Sequence, residues 1–502
     1  MTVQPIFSQA ETTKKLSFTA QSIVECRAFS STQDVGKVLS VTAHAETVGC
    51  EAVNKEVRYS GKVVYHLVWT DGEGRLQKTE VGAEFSHKAE HPEVVSSARI
   101  DVDICLERTE VRPVNGSLMV TSVATAKIQT TTLLSTPYLT GGEGLVTRNE
   151  SVPLYAVQRC NAQMTVGDEW ETKRVVKDVL LPCVCASVTS AGTGIGYAAC
   201  DGEVEVTLLC LDSDGLPFTE RRKIPYRIEA EGEGVMPNMA VTASVAIKNV
   251  KVSATVDADK SLTILAVDVT CEARADVAVE RAVECVIDAY SPTRHLTEKR
   301  EQIVCQLPVC VRSTMHRMVG KVGAEDVTAQ DAVLVTYPLG VQAAVTAIGD
   351  GTVTVEGVVS AVALIKKEDG YTAPVLELPF SVSVEATGVR IGDTITVDAC
   401  VGELSARTVA NGEVELSVEL KLSLCVYRAT AQTVIADIEI GEEKKVSTAA
   451  ISVCYPQAGS TLWDIAKDLG VSPEQVLAFN EELQFPLTGE ERVVVYRRLV
   501  AE

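Results

Sequence analysis

Side chains suited to proton, metal or thiol chemistry are few in this sequence, or are spaced unsuitably for it. Histidine occurs six times, as His44, His66, His87, His91, His295 and His316. His87 and His91 lie four apart in FSHKAEHPE, a spacing that on a helix would place two imidazoles on one face for a metal. Here the segment alternates and runs into Pro92, so both are expected as exposed loop or strand-end residues, and no metal site is expected. Fifteen cysteines include no CxxC pair, so neither a zinc knuckle nor a thioredoxin-type site is signalled. Cys183 and Cys185 share one face of the expected strand LLPCVCASV. Small buried hydrophobes are the expectation for most of these thiols, with late oxidative cross-linking as the alternative.

Nucleotide and acyl-transfer signatures are equally thin. There is no GxSxG and no P-loop, and no glycine string follows a strand as a dinucleotide fingerprint would. Gly192 to Gly196 in SAGTGIGY resembles a phosphate cradle but lacks the following lysine, and both flanks read as strands. A loop or hairpin is expected there. Carboxylates are so abundant that no pair stands out as acid and base; Glu229 to Glu233 and Glu442 with Glu443 read as solvated turns or a linker. Neither an enzyme nor a bound cofactor is expected.

The charge balance narrows the partners. The 502 residues hold 46 Lys+Arg and 68 Asp+Glu, a net charge of −22. A phosphate backbone is gripped by clustered cations, so nucleic acid is disfavoured, as are anionic membrane surfaces. Membrane insertion is not expected either, because no run of about 18 uncharged apolar residues occurs. The opening MTVQPIFSQAETTKKLSF lacks a basic stretch followed by an apolar one, so a chain kept in a cytosol is expected.

These residues are carried by a repeating framework. GKVVYHLVWTDGEG from Gly61, GEVEVTLLCLDSDG from Gly202 and GVVSAVALIKKEDG from Gly357 align, each with a second glycine thirteen residues on. A strand centred on an aromatic follows each one, at Phe85, Tyr226 and Phe380. Polar turns at Asn115-Gly116, around Asp257 to Asp259, and at Asn411-Gly412 then precede the strands LMVTSVATAKIQT, LTILAVDVTCEARAD and VELSVELKLSLCVYR. Alternation of Val, Ile, Leu and Ala with polar residues, broken by Asp-Gly and Asn-Gly, is an antiparallel β signature. The expected architecture is mainly β: three tandem sandwich or barrel-like repeats over 1–148, 149–297 and 298–447. Gly61, Gly202 and Gly357 are expected at strand starts, marking a bulge or a close backbone approach rather than a ligand contact.

The last fifty residues change period. ISVCY reads as a strand. Thr461 and Asp464 form a capping box, and Leu462, Ile465, Ala466 and Leu469 supply a helical face ending at Gly470. Ser472, Pro473 and Gln475 open a second helix, and RVVVY closes with a strand. A small α+β domain of strand, helix, helix and strand is therefore expected over 448–502.

Residues Tyr455 to Asn480, with Gly459, Ser460, Thr461, Leu462, Trp463, Ile465, Ala466, Val471 and Val476, resemble a LysM domain. Ser460 stands where that family usually has Asp. The three upstream repeats resemble SPOCS domains of sporulating Firmicutes, and their order before a LysM-like domain is similar to that of a spore-coat morphogenetic family. The LysM resemblance implies a groove formed by Gly459, Ser460, Thr461 and Leu462 on one side and Asn480, Glu481, Glu482 and Leu483 on the other. In that family such a groove binds N-acetylglucosamine units of peptidoglycan or chitin. Trp463, Ile465 and Ala466 are expected as core, and Thr461 also as a helix cap.

Two functions follow from the resemblance. One is a structural adaptor docking the stage-IV sporulation protein A-like ATPase of the coat basement layer, in the mother-cell cytoplasm at the forespore surface and in the spore coat. The other is a peptidoglycan-binding anchor to cortex or cell wall. Residues 450–502 carry 4 Lys+Arg against 8 Asp+Glu, and peptidoglycan stem peptides carry carboxylates, so repulsion favours the protein partner. Self-association through exposed sheet edges is a third expectation.

Overall fold

The computed structural model describes residues 2–29, 35–114, 117–257, 262–325, 327–368, 370–409, 412–445 and 450–496. The expected turn at Asn115-Gly116 lies outside them, as do Ala258 and Asp259 of the second turn, Asn411 of the third, and Arg497 of the closing strand. The chain is mainly β, 78% strand and 3% helix, as the alternation predicts.

Six strands make up the first unit: β1 (Gln4–Phe29), β2 (Val35–Val53), β3 (Glu56–Asp71), β4 (Leu76–Glu90), β5 (Arg99–Val114) and β6 (Ser117–Glu143). They form two antiparallel sheets, ordered β1-β6-β5 and β2-β3-β4. The second unit repeats this with β7 (Val146–Glu171), β8 (Val176–Gly194), β9 (Tyr197–Asp212), β10 (Pro217–Glu231), β11 (Val241–Asp257) and β12 (Leu262–Tyr290). Its sheets run β11-β12-β7 and β10-β9-β8. In the third, β13 (Arg294–Gly323), β19 (Glu413–Glu443) and β18 (Thr394–Val409) form one sheet; β14 (Ala332–Gly349), β15 (Thr352–Lys367), β16 (Gly370–Thr372) and β17 (Val375–Glu385) form the other.

A period of two drives each strand to pair. Along β19, Val414, Leu416, Val418, Leu420, Leu422, Leu424 and Val426 are buried in turn. Each unit's core lies between its sheets: Val63, Tyr65 and Phe85 with Val120 and Ile128 in the first, and Val204, Tyr226 and Ile228 with Leu265 and Val267 in the second. Val355, Phe380, Leu420 and Leu422 belong to the third.

The three aligned glycines sit in the strand interior rather than at its start, five residues into β3, β9 and β15. Each pairs with the expected aromatic, Gly61 with Phe85, Gly202 with Tyr226 and Gly357 with Phe380. A Cβ at Gly61 would lie 2.1 Å from the Glu46 carbonyl and 2.6 Å from the Phe85 ring, with equivalent clashes at Gly202 and Gly357. The aromatic ring thus covers a strand glycine across the ladder, and this close approach is what fixes the residue type.

A second device recurs without having been expected. The two-residue hairpins before β3, β9 and β15 place Lys55, Gly196 and Gly351 at φ of 63°, 80° and 74°. Their N–H groups donate to the carbonyls of Val94, Val235 and Val389, at 2.8, 2.9 and 3.0 Å. Their carbonyls accept from His91, Gly232 and Ala386. Each unit therefore ties its central hairpin to the turn after its aromatic strand. Residues Gly192 to Gly196 belong to this hairpin. His91 opens the corresponding turn, while His87 is half-buried in β4 and stacked on Phe85 at 5.7 Å, not in a loop.

The units close on one another in a ring. Leu39 and Val68 of the first, Leu180, Leu181 and Leu209 of the second, and Val335, Tyr337 and Leu364 of the third form a single buried cluster. Tyr337 donates to Ser40 Oγ at 2.6 Å. A second shared cluster contains Ala10 and Tyr138, Val152 and Leu154, and Ile303 and Val434. Between them, Asp276 of the second unit receives Lys15 of the first, Arg159 of its own unit and the Tyr427 hydroxyl of the third.

Candidate functional site

Beyond the ring, β20 (Ile451–Cys454), α1 (Leu462–Leu469), α2 (Pro473–Leu477) and β21 (Val493–Tyr496) fold together, the strands pairing antiparallel. Local chemistry fixes both helix starts. Thr461 Oγ1 accepts from the Asp464 N–H at 3.2 Å while Asp464 Oδ2 accepts from the Thr461 N–H at 3.0 Å. Ser472 and Gln475 repeat the exchange. Gly470, at φ 63°, ends α1. Trp463, Ile465 and Ala466 pack with Val471, Val476, Leu487, Val493 and Val495, and each satisfied cap contributes about 1 kcal/mol.

The tryptophan also reaches outside its own fold. Its Nε1 donates to Asp288 Oδ2 at 2.7 Å, and Lys467 Nζ lies 2.6 Å from Asp288 Oδ1. Burial pushes the Asp288 carboxyl up, but the hydrogen bonds from Lys467 and Trp463 outweigh it and hold the group below its ordinary value. Tyr290 donates to the Val471 carbonyl at 2.5 Å and meets Trp463 edge-on at 5.1 Å. Burial pushes the Tyr290 phenol up to about 12. These contacts clamp the C-terminal fold onto the end of β12.

The eight expected groove residues have different surroundings. Gly459 donates to the Leu487 carbonyl at 2.7 Å, and Leu487 donates back to the Ser460 carbonyl at 3.0 Å. Thr461 serves as the cap. Leu462 and Leu483 pack against the small core. Glu481 and Glu482 are exposed. Asn480 is buried and spends its amide on the fold: Nδ2 donates to the carbonyls of Val476 and Val494, each at 2.7 Å, and Oδ1 accepts from the Val494 N–H at 2.9 Å. It latches the end of α2 to β21.

A surface not foreseen from the sequence lies on the other side. Ile451 pairs with Tyr496 and Val453 with Val494, so Ile451, Val453, Tyr455, Val494 and Tyr496 share the outer face of the two-stranded sheet. Tyr455 is 74% exposed. Phe479 extends this face, its ring 4.6 Å from Tyr496. Contiguous exposed apolar side chains rimmed by charge mark interaction sites. The sequence signal was the alternation of Ile451, Val453 and Tyr455; RVVVY obscured it, because Val493 and Val495 face inward while Val494 faces out.

A cavity of about 360 Å³ lies where the three units meet. Thr42, His44, His66 and Glu80 line it from the first unit, Cys183, Cys185, Glu205 and Lys248 from the second, and Gly340, Cys400 and Val401 from the third. Cys185 and Cys400 are joined as a disulfide, so these two thiols depart from the expected role of buried hydrophobes. Burial lowers the His44 imidazole and pushes the Cys183 thiol up to about 12. Among the described residues, no group of three His, Cys, Asp or Glu side chains is placed to hold a metal, and no helix is long and apolar enough to cross a membrane.

The chain matches no protein-family description, no curated protein and no solved structure.

Proposed function

We propose that the protein is a non-enzymatic adaptor of spore-coat assembly, in which three SPOCS-like units form a platform and a LysM-like domain docks a protein. The partner is a stage-IV sporulation protein A-like ATPase of the coat basement layer, met in the mother-cell cytoplasm at the forespore surface. One observation carries this reading. The Trp463, Lys467 and Tyr290 contacts hold the C-terminal fold against the platform while the apolar sheet face of Ile451, Val453, Tyr455 and Tyr496 is left open. A clamped base with an open apolar face suits a rigid docking head, since little order remains to be imposed on binding.

Exposed acidic side chains of the same small domain, including Glu474, Glu481 and Glu482, oppose an anionic polymer and suit a protein partner that brings basic groups along with an apolar anchor. The test is sedimentation of the full chain with purified peptidoglycan at ordinary ionic strength, alongside its localisation in sporulating cells. The adaptor reading expects the chain in the supernatant and a fluorescent fusion around the forespore. Pelleting that N-acetylglucosamine oligomers reverse would replace it with the glycan-anchor reading.

A further inference from the structure

Cys185 and Cys400 belong to different units, in β8 of the second and β18 of the third, and their bond closes a separation of 215 residues. The same seam is held by non-covalent contacts. Ser423 Oγ donates to the Val188 carbonyl at 2.7 Å, Lys421 Nζ reaches Glu203 and Glu205 at 2.6 and 2.5 Å, and Arg221 donates to the Leu404 carbonyl at 2.5 Å.

The repeat relates this position to the other two seams. Cys185, His44 and Gly340 each pair three residues beyond the aligned glycine, with Glu205, Val64 and Ser360, and all three line the central cavity. Cys400, Ala246 and Cys105 each immediately precede the residue where a bulge opens, Val401, Ile247 and Leu106. Going round the ring, Cys185 meets Cys400, and His44 lies beside the second unit's Lys248, which is two residues past Ala246; at Gly340 a Cβ would meet no atom within 4 Å. Of the three positions that pair beyond the aligned glycine, only Cys185 is a cysteine, and it faces a cysteine.

We propose that Cys185 and Cys400 form a redox latch that closes the ring covalently at the seam between the second and third units. With an oxidant of the low-molecular-weight disulfide class, such as oxidised glutathione, the two thiols become one disulfide and the oxidant becomes two thiols. Two electrons and two protons pass from protein to oxidant. A reducing cytosol keeps the latch open and an oxidising exterior closes it. Cys183, two residues from Cys185 and facing the same cavity, is a free thiol. Burial keeps it protonated, and a thiol attacks a disulfide only as thiolate, so the closed latch is not shuffled from within.

The full chain is equilibrated with reduced or with oxidised glutathione, mapped by mass spectrometry without reduction, and followed by hydrogen exchange. A Cys185–Cys400 linked peptide is expected only after oxidation, together with at least tenfold slower exchange along 183–188 and 399–404 and unchanged exchange elsewhere. Cys185→Ser and Cys400→Ser abolish both effects while matching the reduced wild type. Absence of the 185–400 peptide after full oxidation, or exchange indifferent to it, overturns the latch.

Discussion

Asp276 is the residue on which the three units most visibly converge. Burial pushes its carboxyl up, but the Arg159 hydrogen bond and the Lys15 charge outweigh this and hold it at about 2. A carboxyl depressed in the folded state stabilises above its unfolded value and ceases to as pH falls through the folded one. The contribution, about 2 kcal/mol, is therefore present at pH 7 and lost between pH 4 and 2. Asp276→Asn leaves Lys15 buried without its counter-charge and Arg159 with Asp101 alone, and a loss of about 3 kcal/mol is expected in denaturant titrations at pH 7. The histidines of the cavity act at higher pH. Burial lowers His44 against the upward pull of Glu46, with His66 adding to the lowering; His66 is lowered by burial against Glu80. Below about pH 6.5 the unfolded chain takes up protons first, so stability falls toward pH 5. His44→Gln is expected to flatten that fall in thermal melts across the same range.

At the scale of elements, the glycine and aromatic pairs set sheet geometry. Gly61→Val forces a side chain against the Glu46 carbonyl and the Phe85 ring, and a cost of about 2–4 kcal/mol is expected in thermal unfolding. Phe85→Ala relieves only the ring clash, so the double variant stays less stable than Phe85→Ala alone. These pairs were legible as a spacing before any coordinates, and so were both capping boxes, because each is written in residues close in sequence. The hairpin clamp onto Val94, Val235 and Val389 was missed, although each valine lies nine residues past its aromatic; a backbone hydrogen bond leaves no side-chain signature. Asn480 illustrates the converse. Its residue type suited a groove rim, yet its amide faces inward because the backbone of β21 presents both a donor and an acceptor to it.

For the whole molecule, alternation distinguished the two faces of each strand but not solvent from a neighbouring unit. The ring buries much of Lys421, Arg159 and Lys15 in its seams, although charged side chains are ordinarily left on the surface. Ring closure therefore lay beyond sequence reasoning, as did the pairing of two cysteines 215 residues apart. Clamping of the C-terminal fold is likewise a property of the whole. Asp288→Ala removes the acceptor of both Trp463 and Lys467, and faster release of the C-terminal fragment by limited proteolysis is expected, with the ring left intact. The adaptor account depends on the open sheet face that this clamp presents. Its most direct test is calorimetric binding of the full chain to a purified stage-IV sporulation protein A-like ATPase, with Val453→Glu as comparison. The account predicts saturable binding by the wild type and at least a tenfold loss in the variant, whose circular dichroism and melting stay unchanged; equal affinity of the two chains, or no binding by either, would contradict it.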